Sequence, residues 1–271
     1  MILCTVLTGF AQTDTTGKSS DTIKVGTMTI IRKPGNNRDE NTKDKHIIIS
    51  NGNSHYKPSN ISTNWVIVDL GFANYNDKTN YAAAQSSGFV GAGIGDKDNL
   101  KLKTIKSVNV NIWLFMQRMN LVEHVVNLKY GLGLELNNYR FDNEAIRFHK
   151  DPTSIDMDPT LVNVKKNKLA ADYITVPLML NFNFTPHHGR GFGFSAGVSA
   201  GYLYSARQKI KIGNNRSKLH DDFDLERWKL SYVGELNLGP VRLYGSYAVK
   251  SMWSKGLDQT PYTVGLRFSN W

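Results

Sequence analysis

The chain has 271 residues and a formal charge of +10, enough length for one sizeable domain or two small ones. It has no run of about twenty apolar residues, so no transmembrane helix is expected. With one cysteine, Cys4, it offers neither an internal disulfide nor a Cys/His metal spacing, and its basic stretches lack the aromatic interleaving of a nucleic-acid platform.

Residues 1–11 are apolar and end in Gly9-Phe10-Ala11, the small-residue end of a secretory signal peptide, without the basic n-region such peptides carry. Residues 12–63 read as an N-terminal extension and linker on the periplasmic side. Within it a weakly alternating run from Ile23 and a short apolar run from His46 predict a small hairpin.

From Asn64 to the end the sequence alternates with a period of two, the signature of strands whose successive side chains face opposite ways. In the first strand Val66, Val68, Leu70 and Phe72 face one way, and Trp65, Ile67, Asp69, Gly71 and Ala73 the other. A Gly/Asn/Lys-rich loop runs from Asn76 to Lys106. The second strand puts Val108, Val110, Ile112, Leu114 and Met116 outward, with Asn109, Asn111, Trp113, Phe115 and Gln117 inward. After a short connection, the third alternates Val126, Leu128, Tyr130, Leu132, Leu134 and Leu136 with Asn127, Lys129, Gly131, Gly133, Glu135 and Asn137.

A second long loop is expected over 142–171. The clearest alternation follows, in a hairpin from Tyr173 to Tyr204. Its first strand sets Ile174, Val176, Leu178, Leu180, Phe182 and Phe184 against Thr175, Pro177, Met179, Asn181 and Asn183. Its second sets aromatics and aliphatics against Gly and Ser. A charged loop is expected over 209–227. Two strands joined at Gly239-Pro240 come next, and a last strand carries Tyr262, Val264, Leu266 and Phe268 outward.

Eight strands with alternating long and short connections, apolar on one face and polar on the other, predict an all-β, eight-stranded antiparallel transmembrane up-and-down barrel over 64–271. Short turns belong to the periplasmic end and long loops to the outside, which places both chain ends in the periplasm. A barrel of this size has an interior that side chains can fill. The inward set contains Asp69, Lys129, Glu135, Lys229, Glu235, Arg242 and Arg267. Buried charges persist only when paired, so a lumenal salt-bridge network is expected. The basic residues between strands fit loops lying over an anionic lipopolysaccharide surface.

Val68-Asp69-Leu70-Gly71-Phe72, the terminal Tyr262-Thr263-Val264-Gly265-Leu266-Arg267-Phe268, the Ala11-Gln12 signal end and the Asp21-Thr22-Ile23-Lys24 opening together resemble the PorT-like outer-membrane β-barrel proteins of Bacteroidetes-type bacteria. The resemblance covers about 64–271 and implies a small barrel of about eight strands. It brings an association with protein secretion and no catalytic motif. The last strand also resembles the terminal signal read by the barrel-assembly machinery, although Asn270 takes the outward parity and Trp271 falls out of phase.

Loop His, Asp and Ser residues (His149, Asp151 and Ser154; His220, Asp221 and Asp222) supply the types a hydrolase or acyltransferase needs, but spacing alone makes no triad. Asp151, Asp156 and Asp158 lack the ligand spacing and turn glycine of a calcium loop. His187-His188 read as solvated turn residues. The expected function is therefore non-enzymatic: an outer-membrane barrel with a closed lumen and long outer loops, in a structural, interaction or secretion-accessory role. The expected partners are outer-membrane lipids, the assembly machinery and an envelope or secretion-machinery protein. No cofactor or metal is expected. The alternatives are a narrow channel for small solutes or ions, and a soluble lipocalin-like ligand binder with the apolar face turned inward.

Overall fold

The structure is a computed structural model that describes residues 21–25, 28–32, 47–51, 59–186, 191–239 and 241–269. The expected signal segment and His187-His188 lie outside these residues. Two units are compact by themselves, 1–56 and 57–271. The first contains a three-stranded antiparallel sheet, β1 (Asp21–Val25), β2 (Met28–Arg32) and β3 (Ile47–Asn51), in sequential order. The expected hairpin is thus three strands.

The second unit is a closed barrel. Its strands are β4 (Ile61–Asp77), β5 (Val108–Val122), β6 (Val126–Arg140), β9 (Val164–Asn183), β10 (Phe192–Ile212), β12 (Trp228–Leu238), β13 (Val241–Ala248) and β14 (Gln259–Phe268). Each pairs antiparallel with the next, and β14 returns to pair with β4, so the ring has eight strands and no open edge. The first strand begins at Ile61, three residues before the expected Asn64.

Alternation carries the burial as the sequence predicts for most of the ring. Ile174, Val176, Leu178 and Leu180 are exposed on the outside, while Thr175, Met179 and Asn181 are buried inside. The parity fails at two places: a register slip between Leu203 and Ser205 turns Ala206 and Gln208 inward on β10, and the other irregularity lies on β4 and β5. Val66 has a positive φ of 55°, and the β5–β6 register slips across Leu114. Beyond that irregularity the faces exchange. Trp65, expected inside, is 68% exposed; Met116, expected outside, is 0% exposed. Phe115 turns with them and packs against Trp65, ring centroids 6.0 Å apart.

Two strands far exceed a membrane crossing, which takes about 9–11 tilted residues. β9 has 20 residues and β10 has 21. Their outer halves fall in stretches expected as loops: 164–171 continues β9, and 209–212 continues β10. A further strand, β11 (Asn215–His220), folds back onto this extension and pairs with Arg207–Ile212 of β10. The upper parts of β9, β10 and β11 form a three-stranded ribbon beyond the ring.

The long connections fold into a cap with its own core. The 78–107 connection contains α1 (Tyr81–Ser86), whose N-cap Asn80 accepts a bond from the Ala83 amide. The 141–163 connection contains a small hairpin, β7 (Ile146–His149) and β8 (Ser154–Met157). Isolated bridges Val90–Ile155, Leu102–Phe141 and Leu225–Trp253 stitch the connections together. Phe89, Ile94, Phe148, Ile155, Phe223 and Trp253, drawn from four separate connections, are buried in one cluster with the upper strand residues Tyr139, Leu169 and Tyr173. Gln208 anchors the hairpin: its amide donates to the Ile146 carbonyl (2.9 Å), and its oxygen accepts from the Phe148 amide (3.0 Å).

Candidate functional site

The register brings the lumenal charges together. Arg267 of β14 is the direct partner of Asp69 on β4; Asn111 of β5 follows beside Asp69, and Glu135 of β6 beside Asn111. This row crosses four strands on the inner face. Arg267 makes two bonds of 2.7 Å to Asp69, from Nε to Oδ1 and from Nη2 to Oδ2. The paired geometry matches the flat guanidinium fork to a carboxylate. Asp69 also accepts from the Trp113 indole (2.7 Å) and the Asn111 amide (3.2 Å).

The remaining guanidinium nitrogen of Arg267 reaches Glu235 on β12. Glu235 accepts from Lys129 of β6 at 2.5 Å, a contact that spans the lumen, and from the Ser195 hydroxyl at 3.3 Å. Lys229 of β12 pairs with Glu135, which also accepts from Asn137 (3.0 Å) and Thr175 (3.4 Å). Three carboxylates, Asp69, Glu135 and Glu235, thus meet three cations, Lys129, Lys229 and Arg267, all buried. The seventh predicted residue, Arg242, lies nearer the short-turn end and is hydrogen-bonded to Ser269.

Apolar and aromatic groups complete the plug. Arg267 lies over the Trp113 ring (5.5 Å) and near the Tyr244 ring (6.0 Å), while Lys229 lies over Tyr173 (4.9 Å). Glycine creates the room: a Cβ on Gly133 would stand 2.6 Å from the Trp113 ring, and one on Gly71 would stand 2.5 Å from the Tyr244 hydroxyl. The space left between Trp113, Glu135, Met179, Glu235 and Arg267 is about 30 Å³, room for roughly one water.

The loop residues weighed for catalysis fall in two places. His149 and Ser154 are cross-strand neighbours in the β7–β8 hairpin. The His149 Nε2 lies 3.3 Å from Asp156, and among the described residues Ser154 makes no hydrogen bond to His149. His220 ends β11 opposite Arg207, followed by Asp221 and Asp222. Asp158 accepts from the Thr160 hydroxyl (2.5 Å) and amide (2.8 Å), and these bonds hold its carboxyl below the usual range.

The cap core and the basic outer ribbon escape a reading by alternation. The apolar residues of the cap are scattered through the loops, as Phe89-Val90, Phe148 or Met252-Trp253 are, and they meet only in space. Those pairs of large apolar residues inside polar loops were the available signal.

Residues 68–248 match the family model described as the outer membrane protein beta-barrel domain. Among solved structures, the chain is similar to Ail, the attachment invasion locus protein of Yersinia pestis, at 11% identity and a TM-score of 0.30, over 76% of this chain and 98% of that one. No curated protein matches the chain by sequence.

Proposed function

The chain belongs to the outer membrane protein beta-barrel domain family, and on that premise we propose that it serves the outer membrane as a closed, non-catalytic barrel whose cap and outer ribbon make its contacts. The barrel is integral to the cell outer membrane. The lumenal ion-pair network supports the closed reading. A path for ions would have to break Lys129–Glu235, Arg267–Asp69 and Lys229–Glu135, and the space between Trp113, Met179 and Arg267 beside these pairs is about 30 Å³. The four outer connections, packed on a common core, make a rigid platform rather than swinging loops. Such a platform suits docking of an envelope protein. The Val68–Phe72 and Tyr262–Phe268 motifs favour a PorT-like member with a role accessory to protein secretion.

The test is planar-bilayer recording of the purified, heat-modifiable protein. A closed barrel gives no unitary conductance at either polarity. Reproducible steps that vanish in Glu235→Gln or change selectivity in Lys129→Gln overturn the reading in favour of a narrow channel.

A further inference from the structure

The outward face of the β9–β10–β11 ribbon carries six cations in two rows. Lys168, Lys209 and Lys218 are direct cross-strand partners, and so are Lys166, Lys211 and Arg216. They line a recess of about 400 Å³ with Ile210 and Ser217. Arg140 of β6 extends the first row, as the partner of Lys168. Like charges set directly opposite one another destabilise a sheet. Among the described residues no carboxylate lies within ion-pair distance of any of the six. The nearest acid on this face, Asp172, is engaged by Arg207 at 2.5 Å.

Edge protection explains part of such a pattern, since lysines on an edge strand discourage pairing with other chains. It accounts for β11 and for Lys166, which lies above the last β6–β9 pair, but not for Lys168, Lys209 and Lys211, which are paired on both sides. The opposite face is fixed: Leu169 and Gln208 are buried, and Leu219 packs on the cap core. The six charges therefore stand on a rigid surface. Burial first, and then the charges of Lys166, Lys209 and Arg207, press the Lys168 ammonium down to about 8.

Position selects the ligand. The face continues the lipid-facing wall, where exposed Tyr202 and Trp228 stack edge to face, centroids 5.0 Å apart, with Tyr204 above them. Such aromatics mark the membrane boundary. Lys209 lies seven residues beyond Tyr202, about 23 Å along a strand and less in height because barrel strands tilt. The recess lies on the same outward side of the sheet as this wall. We propose that this face binds the phosphorylated sugar headgroup of an outer-leaflet glycolipid, its phosphates seated between the two cationic rows. The inference rests on outer-membrane insertion and not on the lumen being closed.

Folded protein in detergent would be titrated with phosphorylated rough lipopolysaccharide, with the same glycolipid after enzymatic dephosphorylation, with inorganic phosphate and with heparin. Wild type should bind the phosphorylated glycolipid with a steep salt dependence and bind the dephosphorylated form at least about tenfold more weakly. The quadruple variant Lys209→Gln, Lys211→Gln, Arg216→Gln, Lys218→Gln should lose about tenfold or more, and the three lysines replaced by arginine should retain affinity. Heat-modifiable migration reports folding of each variant. If the quadruple variant fails to fold, the dephosphorylation comparison on wild type still decides. Equal binding of the dephosphorylated glycolipid, or undiminished binding by the folded quadruple variant, overturns the proposal. So does preference for heparin or full competition by inorganic phosphate, either of which would assign the face to a soluble anion.

Discussion

Arg267 and Asp69 join the last strand of the barrel to the first, through two hydrogen bonds of 2.7 Å on the inner wall. The pair closes the ring where chain continuity cannot. Replacing Arg267 with Ala leaves Asp69 buried with a charge and withdraws a partner from Glu235. Loss of one member of a buried pair costs about 3–5 kcal/mol. Urea unfolding in lipid vesicles should show that loss for Arg267→Ala. Asp69→Leu combined with Arg267→Met should fall well short of the sum of the single losses, because no orphaned carboxylate remains at Asp69. Additive losses would show that the two residues act separately.

The cap makes an independent prediction. Phe148 touches three other rings: Phe141 at 5.7 Å, Phe223 at 5.2 Å and Trp253 at 6.1 Å between centroids. Phe223 and Trp253 come from two other outer connections, and Phe141 from the start of the connection that holds Phe148. Phe148→Ala removes the common contact, a change that typically costs about 3–5 kcal/mol in a core. The barrel wall does not depend on Phe148. Limited proteolysis should therefore cut the outer connections of the variant much faster than those of wild type, while heat-modifiable migration stays intact. Unchanged cleavage would mean that the cap is not a cooperative unit.

The position of Trp65 tests a point at which alternation misleads. Trp65-Val66-Ile67 is apolar throughout, so nothing in its composition shows which residue faces lipid. The paired irregularity at Val66 and Leu114 decides it, and a one-residue slip leaves no mark on hydrophobicity. Elsewhere the polar member of each alternating pair declared the inner face, as Asn127, Lys129 and Glu135 do on β6. The charged lumen was legible for that reason. Which cation meets which anion depended on register, and the cap depended on contacts between distant loops; neither leaves a period in the chain. Brominated lipids should strongly quench the fluorescence of variants retaining only Trp65 or only Trp228, and scarcely affect those retaining only Trp113 or Trp253. Strong quenching of Trp113 together with protection of Trp65 would restore the uninterrupted alternation.

The basic ribbon should make stability depend on pH in an unusual direction. Lys168 faces Lys166 on its own strand, Arg140 and Asn138 across β6, and Lys209 and Arg207 across β10, with Asp172 as the only nearby acid among the described residues. Its pKa is lowered from about 10.5 to about 8 in the folded chain, with burial the largest cause and the neighbouring cations next. Between those two values the unfolded chain holds more protons at this position than the folded one, so folding stability rises as pH increases through the window. The penalty of burying the charge among other cations is fully present below about 8, where Lys168 is charged in both states. Wild type should gain resistance to urea between about pH 8 and pH 10, and Lys168→Met should gain measurably less over the same range. A bound phosphate would favour the charged ammonium and carry the window upward, so saturating phosphorylated glycolipid should shrink the gain. Identical pH profiles for wild type and Lys168→Met would show that the row of like charges imposes no strain at this position.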